Sequence, residues 1–85
     1  MNSAEMPKYK CHKEVWALKI ADVEVLDSGE VIIYPENREY ENILLDKDYQ
    51  TKHKPYSGGY YVVYEDGYKS FSPSDAFESG YTKID

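Results

Sequence analysis

A small α+β domain, mostly antiparallel sheet with one or two short helices, is predicted by three features of this chain. β-branched and aromatic residues concentrate in short runs, above all Tyr60–Tyr64. Glycine-bearing turn segments, Asp27-Ser28-Gly29-Glu30 and Glu65-Asp66-Gly67-Tyr68, separate neighbouring runs. Helix-start chemistry is confined to two brief stretches, near Asp46–Asp48 and Ser72–Asp75. With 85 residues there is material for one core only, so a single domain is expected over residues 8–85 behind a disordered N-terminus at 1–7.

The opening seven residues show no periodicity and end in Pro7, the pattern of a frayed terminus. From Glu14 to Leu26 the chain reads as one strand or two joined strands. Trp16, Leu18 and Ile20 share one parity while Val23 and Val25 take the other, so the buried face changes side near Lys19–Asp22. Such a one-residue slip predicts a β-bulge or sharp bend, although the same residues tolerate helical spacing as the competing reading. Gly29 can take positive φ, which predicts a hairpin from Val23–Leu26 to Val31–Tyr34, closed by Pro35. Glu36–Tyr40 reads as surface loop and Ile43-Leu44-Leu45 as an apolar island. Asp46 or Asp48 would then cap a short helix running to His53, which Lys54-Pro55 stops.

After the joint Ser57-Gly58-Gly59, Tyr60–Glu65 and Tyr68–Ser72 are expected to pair, with Asp66 and Gly67 at the two central turn positions and both at positive φ. Ser72 as cap and Pro73 at the first helical position predict a helix over about Pro73–Ser79, with Ala76 and Phe77 inward and Gly80 as its stop. Tyr81-Thr82-Lys83-Ile84 has strand character and can return to a sheet edge.

Composition narrows the function. The chain is 41% hydrophobic with a mean hydropathy of −0.74, enough for a thin core. Sixteen acidic residues against ten basic give a net charge of −6, which repels phosphate backbones and argues against direct nucleic-acid binding. The longest apolar run, Val31–Tyr34, is too short for a bilayer and no leader pattern opens the chain, so neither a membrane partner nor export is expected. A single cysteine, Cys11, leaves no intramolecular disulfide and fits a reducing compartment.

The segment Gly58-Gly59-Tyr60-Tyr61-Val62-Val63-Tyr64-Glu65-Asp66-Gly67-Tyr68-Lys69-Ser70-Phe71-Ser72-Pro73, continuing through Ala76-Phe77-Glu78-Ser79-Gly80-Tyr81, resembles a C-terminal module of small tailed-phage and prophage proteins. Tyr9–Ile20 and the Tyr49–Pro55 segment resemble the same group, so the likeness spans about three quarters of the chain. The resemblance implies a phage origin, expression in the cytoplasm of an infected bacterium and an accessory role. It carries over no catalytic residue.

Candidate chemistry is sparse. Cys11, His12 and His53 are residue types that bind zinc, but adjacent strand residues point apart and no second cysteine pair exists. A packed or free thiol and surface histidines are expected instead, with no metal and no cofactor. Nothing specifies a Cys–His nucleophile, Gly58-Gly59 leads into a strand and not a phosphate-cradling helix, and Asp46-Lys47-Asp48 lacks the rest of a calcium loop, so no enzyme activity is expected.

Two features stand out. There are ten tyrosines, and Tyr60, Tyr61, Tyr64 and Tyr68 fall on one hairpin whose two faces a chain this short is not expected to bury. Either those rings pack beneath the C-terminal helix and the middle segment, or one aromatic face forms an interface. Between Asp22 and Asp48 nine carboxylates face only Arg38 and Lys47, a local balance of −7. This is either a solvated face or a docking surface for a basic partner. The candidate interface is therefore Tyr60, Tyr61, Tyr64, Tyr68, Asp22, Glu24, Glu36, Glu39 and Glu41. The expected function is non-catalytic binding, with a basic bacterial host or defence protein as the first expected target, inhibited or modulated on binding. The alternatives are a structural or assembly protein that forms a homodimer or higher oligomer, and a small-ligand (nucleotide) binder.

Overall fold

The computed structural model describes residues 6–10, 14–80 and 82–84, and the fold is the α+β one expected. Seven strands and two short helices follow in the order β1 (Lys8–Lys10), β2 (Glu14–Val25), β3 (Val31–Pro35), β4 (Ile43–Leu45), α1 (Lys47–His53), β5 (Tyr60–Tyr64), β6 (Lys69–Ser72), α2 (Ser74–Gly80) and β7 (Thr82–Ile84). All strand pairs are antiparallel.

The organising element is β2, twelve residues long. Its first half pairs with β1 on one side and β5 on the other, and its second half pairs with β3. The partner of Ile20 is Pro35 and that of Asp22 is Tyr34, so Ala21 is the extra residue of a bulge where the change of parity predicted one. The added local twist lets one strand serve two arms of a curled sheet. One arm continues through β3 to β4, the other through β5 to β6, while β1 carries β7 at its far edge.

The first arm turns at Gly29, whose φ of 94° is open to glycine and strained for other residues. The second turns at Glu65-Asp66-Gly67, but not as expected. Gly67 takes a φ of 90° and Asp66 does not share the positive φ, because the loop has three residues and not two. Gly67 N–H donates to the Tyr64 carbonyl at 2.8 Å, Tyr64 N–H donates to Tyr68 at 2.9 Å, and the Asp66 carboxylate accepts from Tyr68 N–H at 2.9 Å. The arrangement is a type I turn followed by a left-handed glycine, the usual three-residue hairpin.

Asp46 caps α1 by accepting Tyr49 N–H at 2.8 Å, and Lys54 ends the helix in the left-handed region at φ 44°, ahead of Pro55. Helix α2 begins a residue later than expected and includes Gly80. The Pro73 carbonyl accepts the first helical bond, from Phe77 N–H, and the Ser72 hydroxyl reaches Pro73 O instead of capping the helix. Two expectations were silent where strands exist: Lys8–Lys10 and the island Ile43–Leu45 both join the sheet, each too short to show a period. Strand β7 takes the edge position expected of the final residues, with Tyr81 itself outside the described residues.

The decisive feature of the packing is that the first half of β2 and β5 are covered on both faces. On one face Leu18, Ile20, Val31, Ile33, Leu45, Tyr61 and Val63 form the main core, closed by Tyr49 of α1. On the other, Val15, Ala17, Tyr60 and Val62 pack beneath Phe77 of α2. The main core also includes Met6, and the Pro7 carbonyl accepts Ala17 N–H at 2.9 Å, so packed structure reaches residues the sequence placed in the terminal stretch.

Candidate functional site

The expectation that the hairpin leaves a whole aromatic face exposed is corrected by this packing. Tyr60 and Tyr61 are 6% and 0% exposed in a single copy of the chain and offer no contact area. Phe77 stacks on Tyr60 at 4.2 Å, and Tyr49 meets Tyr61 edge-on at 6.1 Å. The two short helices thus supply the covers, one per face. Burial pushes the Tyr61 phenol up to about 12, and its hydroxyl has no protein partner among the described residues, which costs about 1–3 kcal/mol in a dry site.

Only the far end of the hairpin keeps rings at the surface. Tyr64 is half-buried and stacks on Tyr68 at 5.7 Å, and Tyr68 is exposed. His53 stands between Tyr49 and Tyr68, at 4.6 Å and 6.0 Å between ring centres, and its Nε2 lies 3.4 Å from the Tyr68 hydroxyl. Instead of lying free at the surface, His53 is half-buried, and burial, with the Lys52 ammonium nearby, holds its pKa below the usual histidine value. Cys11 and His12 lie outside the described residues. Among the described residues, no three His, Cys, Asp or Glu side chains gather as a metal would require.

The acidic candidates, unlike Tyr60 and Tyr61, lie at the surface. Residues directly opposite in an antiparallel pair share a face, so the register sets Glu24, Ile32 and Leu44 in one row, with Asp22 beside Tyr34 in the next. That face turns away from buried Val31, Ile33 and Leu45. Asp22 and Glu24 are exposed, Ile32 and Tyr34 are half-buried, and Leu44 is 59% exposed. Tyr34 donates its hydroxyl to Glu24 Oε1 at 2.6 Å, a bond that raises its pKa and holds the carboxylate in place. The result is a surface patch with aliphatic centre and negative flank. Sequence reasoning named the two carboxylates and missed Ile32, Tyr34 and Leu44, whose shared face follows only from strand register.

Glu36, Glu39 and Glu41 lie exposed on the connection from β3 to β4. The loop is held by Asn37, whose side chain accepts Glu39 N–H at 3.0 Å and whose carbonyl accepts Tyr40 N–H at 3.2 Å. Behind it opens a groove of about 430 Å³, with Met6, Leu18, Tyr40 and Ile43 among its apolar lining and Glu39 and Glu41 on its rim. The structure therefore separates the candidate residues. The five carboxylates belong to the β2–β4 arm and its loop, and the tyrosines belong to the interior or to the opposite hairpin tip.

No protein-family profile and no curated protein matches the sequence. A solved structure does: the NMR structure of the monomeric form of the phage L decoration protein matches with a TM-score of 0.71 and 25% identity, over 91% of this chain. The fold resembles that of a phage decoration protein. This chain spans 58% of the length of that protein. The likeness supports a phage protein. None of the helices is long and apolar enough to cross a membrane, among the described residues.

Proposed function

We propose that this chain is a structural phage protein of the decoration type, which attaches without catalysis to a surface assembled from other phage proteins. Its contact is the patch on the β2–β4 arm: Asp22 and Glu24 beside Tyr34, Ile32 and Leu44, with Glu36, Glu39 and Glu41 at its border. The observation that carries the reading is the match of the whole fold, over 91% of the chain, to a phage decoration protein. The patch supports it, because an exposed leucine set among tethered carboxylates gives both apolar contact and charge-based orientation. The same likeness favours this reading over inhibition of a host or defence factor, which nothing in the fold or the comparisons supports.

The test is co-sedimentation of the purified protein with heads of the phage that encodes it. Saturable binding at a fixed ratio is expected, weakening as salt rises, and Asp22→Asn/Glu24→Gln should lower the affinity while leaving thermal stability unchanged. Protein that stays in the supernatant at every salt concentration overturns the reading.

A further inference from the structure

The groove behind the β3–β4 loop sits beside an unfinished sheet edge. β4 pairs with β3 and with no other described strand, so its outer backbone groups are open to a further strand. Ile43 and Leu44 belong to that strand and to the groove wall alike. Tyr61 also lines the groove, fully buried, with a hydroxyl that no described residue engages. The rim carries Glu39 and Glu41 against one cation, Lys69.

We propose that the groove and the free edge of β4 together receive an extended basic segment of the partner protein. The segment would add as a strand to β4, lay lysine or arginine stems along Leu44 and Ile43, and set their charged ends against Glu39 and Glu41. A polar side chain of the segment that inserts into the groove, moving its lining aside to reach the buried ring, would give the Tyr61 hydroxyl a partner. The charge argument decides the occupant. A second copy would bring the same negative segment, nine carboxylates to two cations, against itself, whereas a basic strand neutralises it. A small ligand could fill the groove but would leave the backbone of β4 unpaired. This inference rests on the reading of the chain as an attachment protein and names what it attaches to.

The test has two arms. In the first, amide shifts of labelled protein are followed while a blocked six-residue peptide alternating lysine and leucine is added, with a control peptide carrying glutamate for lysine. Shifts confined to Ile43–Leu45, Tyr61 and the Glu39–Glu41 loop, with the basic peptide alone, are expected. Their absence, or equal shifts with the acidic peptide, overturns the proposal. In the second, Glu39→Gln/Glu41→Gln and Tyr61→Phe are compared with the parent protein on phage heads. The first variant should bind about tenfold more weakly with a flatter salt dependence. The second should melt no lower than the parent, since it removes an unpaired hydroxyl, yet bind several-fold more weakly. If the parent binds heads and both variants bind equally well, the groove is not the site although the attachment reading stands. If the parent does not bind heads at all, that reading fails, and the peptide arm alone decides whether the groove takes a basic strand.

Discussion

Phe77 shows how much one side chain contributes to so small a protein. It is 1% exposed and stacks on Tyr60, closing the second core almost alone from its helix. Truncation by Phe77→Ala should cost about 3–5 kcal/mol, most of the stability of a domain this size, and urea unfolding would measure it. Beside it, Glu78 accepts the hydroxyl of Tyr60 at 2.8 Å, that of Ser74 at 3.1 Å and the ammonium of Lys19 at 3.3 Å. These contacts, the Tyr60 bond first, hold the carboxyl below its ordinary value of 4.5. The unfolded chain therefore takes up this proton more readily than the folded one. The stability the contacts provide is complete above the unfolded value and is lost as pH falls through the lower, folded one. Urea midpoints followed from about pH 6 down to about pH 3 should fall less steeply in Glu78→Gln than in the parent.

At the scale of elements, α1 rests on a single cap. Asp46→Ala removes the acceptor for Tyr49 N–H and should cost about 1 kcal/mol, with Tyr49 loosened from the main core, as a fall in thermal midpoint would report. This helix, the two hairpins and the bulge at Ala21 were legible because each depends on neighbours in sequence: a capping aspartate, a glycine at a turn, a shift of parity. What was not legible depended on distant pairing. Ile43–Leu45 is three residues and shows no alternation, yet β3 makes it a strand. The burial of Tyr60 and Tyr61 misled for a related reason. Period-two alternation says that the rings face opposite ways, but it cannot say that seven-residue helices, carrying Tyr49 11 residues before Tyr60 and Phe77 17 residues after it, arrive to cover each side. The acidic half of the candidate surface was visible as composition, and its aliphatic half appeared only with the register of β2, β3 and β4.

Across the whole molecule, the ribbon made by β5 and the first half of β2 is covered twice, whereas the β3–β4 arm ends in an open edge with Leu44 in solvent. Backbone deuterium uptake should therefore be graded: slowest at Val15–Leu18 and Tyr60–Val63, where exchange requires global opening, and faster at Ile43–Leu45. Uniform uptake across both regions would contradict this. The double covering also divides labour within the chain, for the stretch that resists unfolding is not the stretch proposed to meet a partner. Engagement at the outer arm would slow deuteration there and leave the central ribbon's already slow rates untouched, so the fold can tighten its grip without altering its frame.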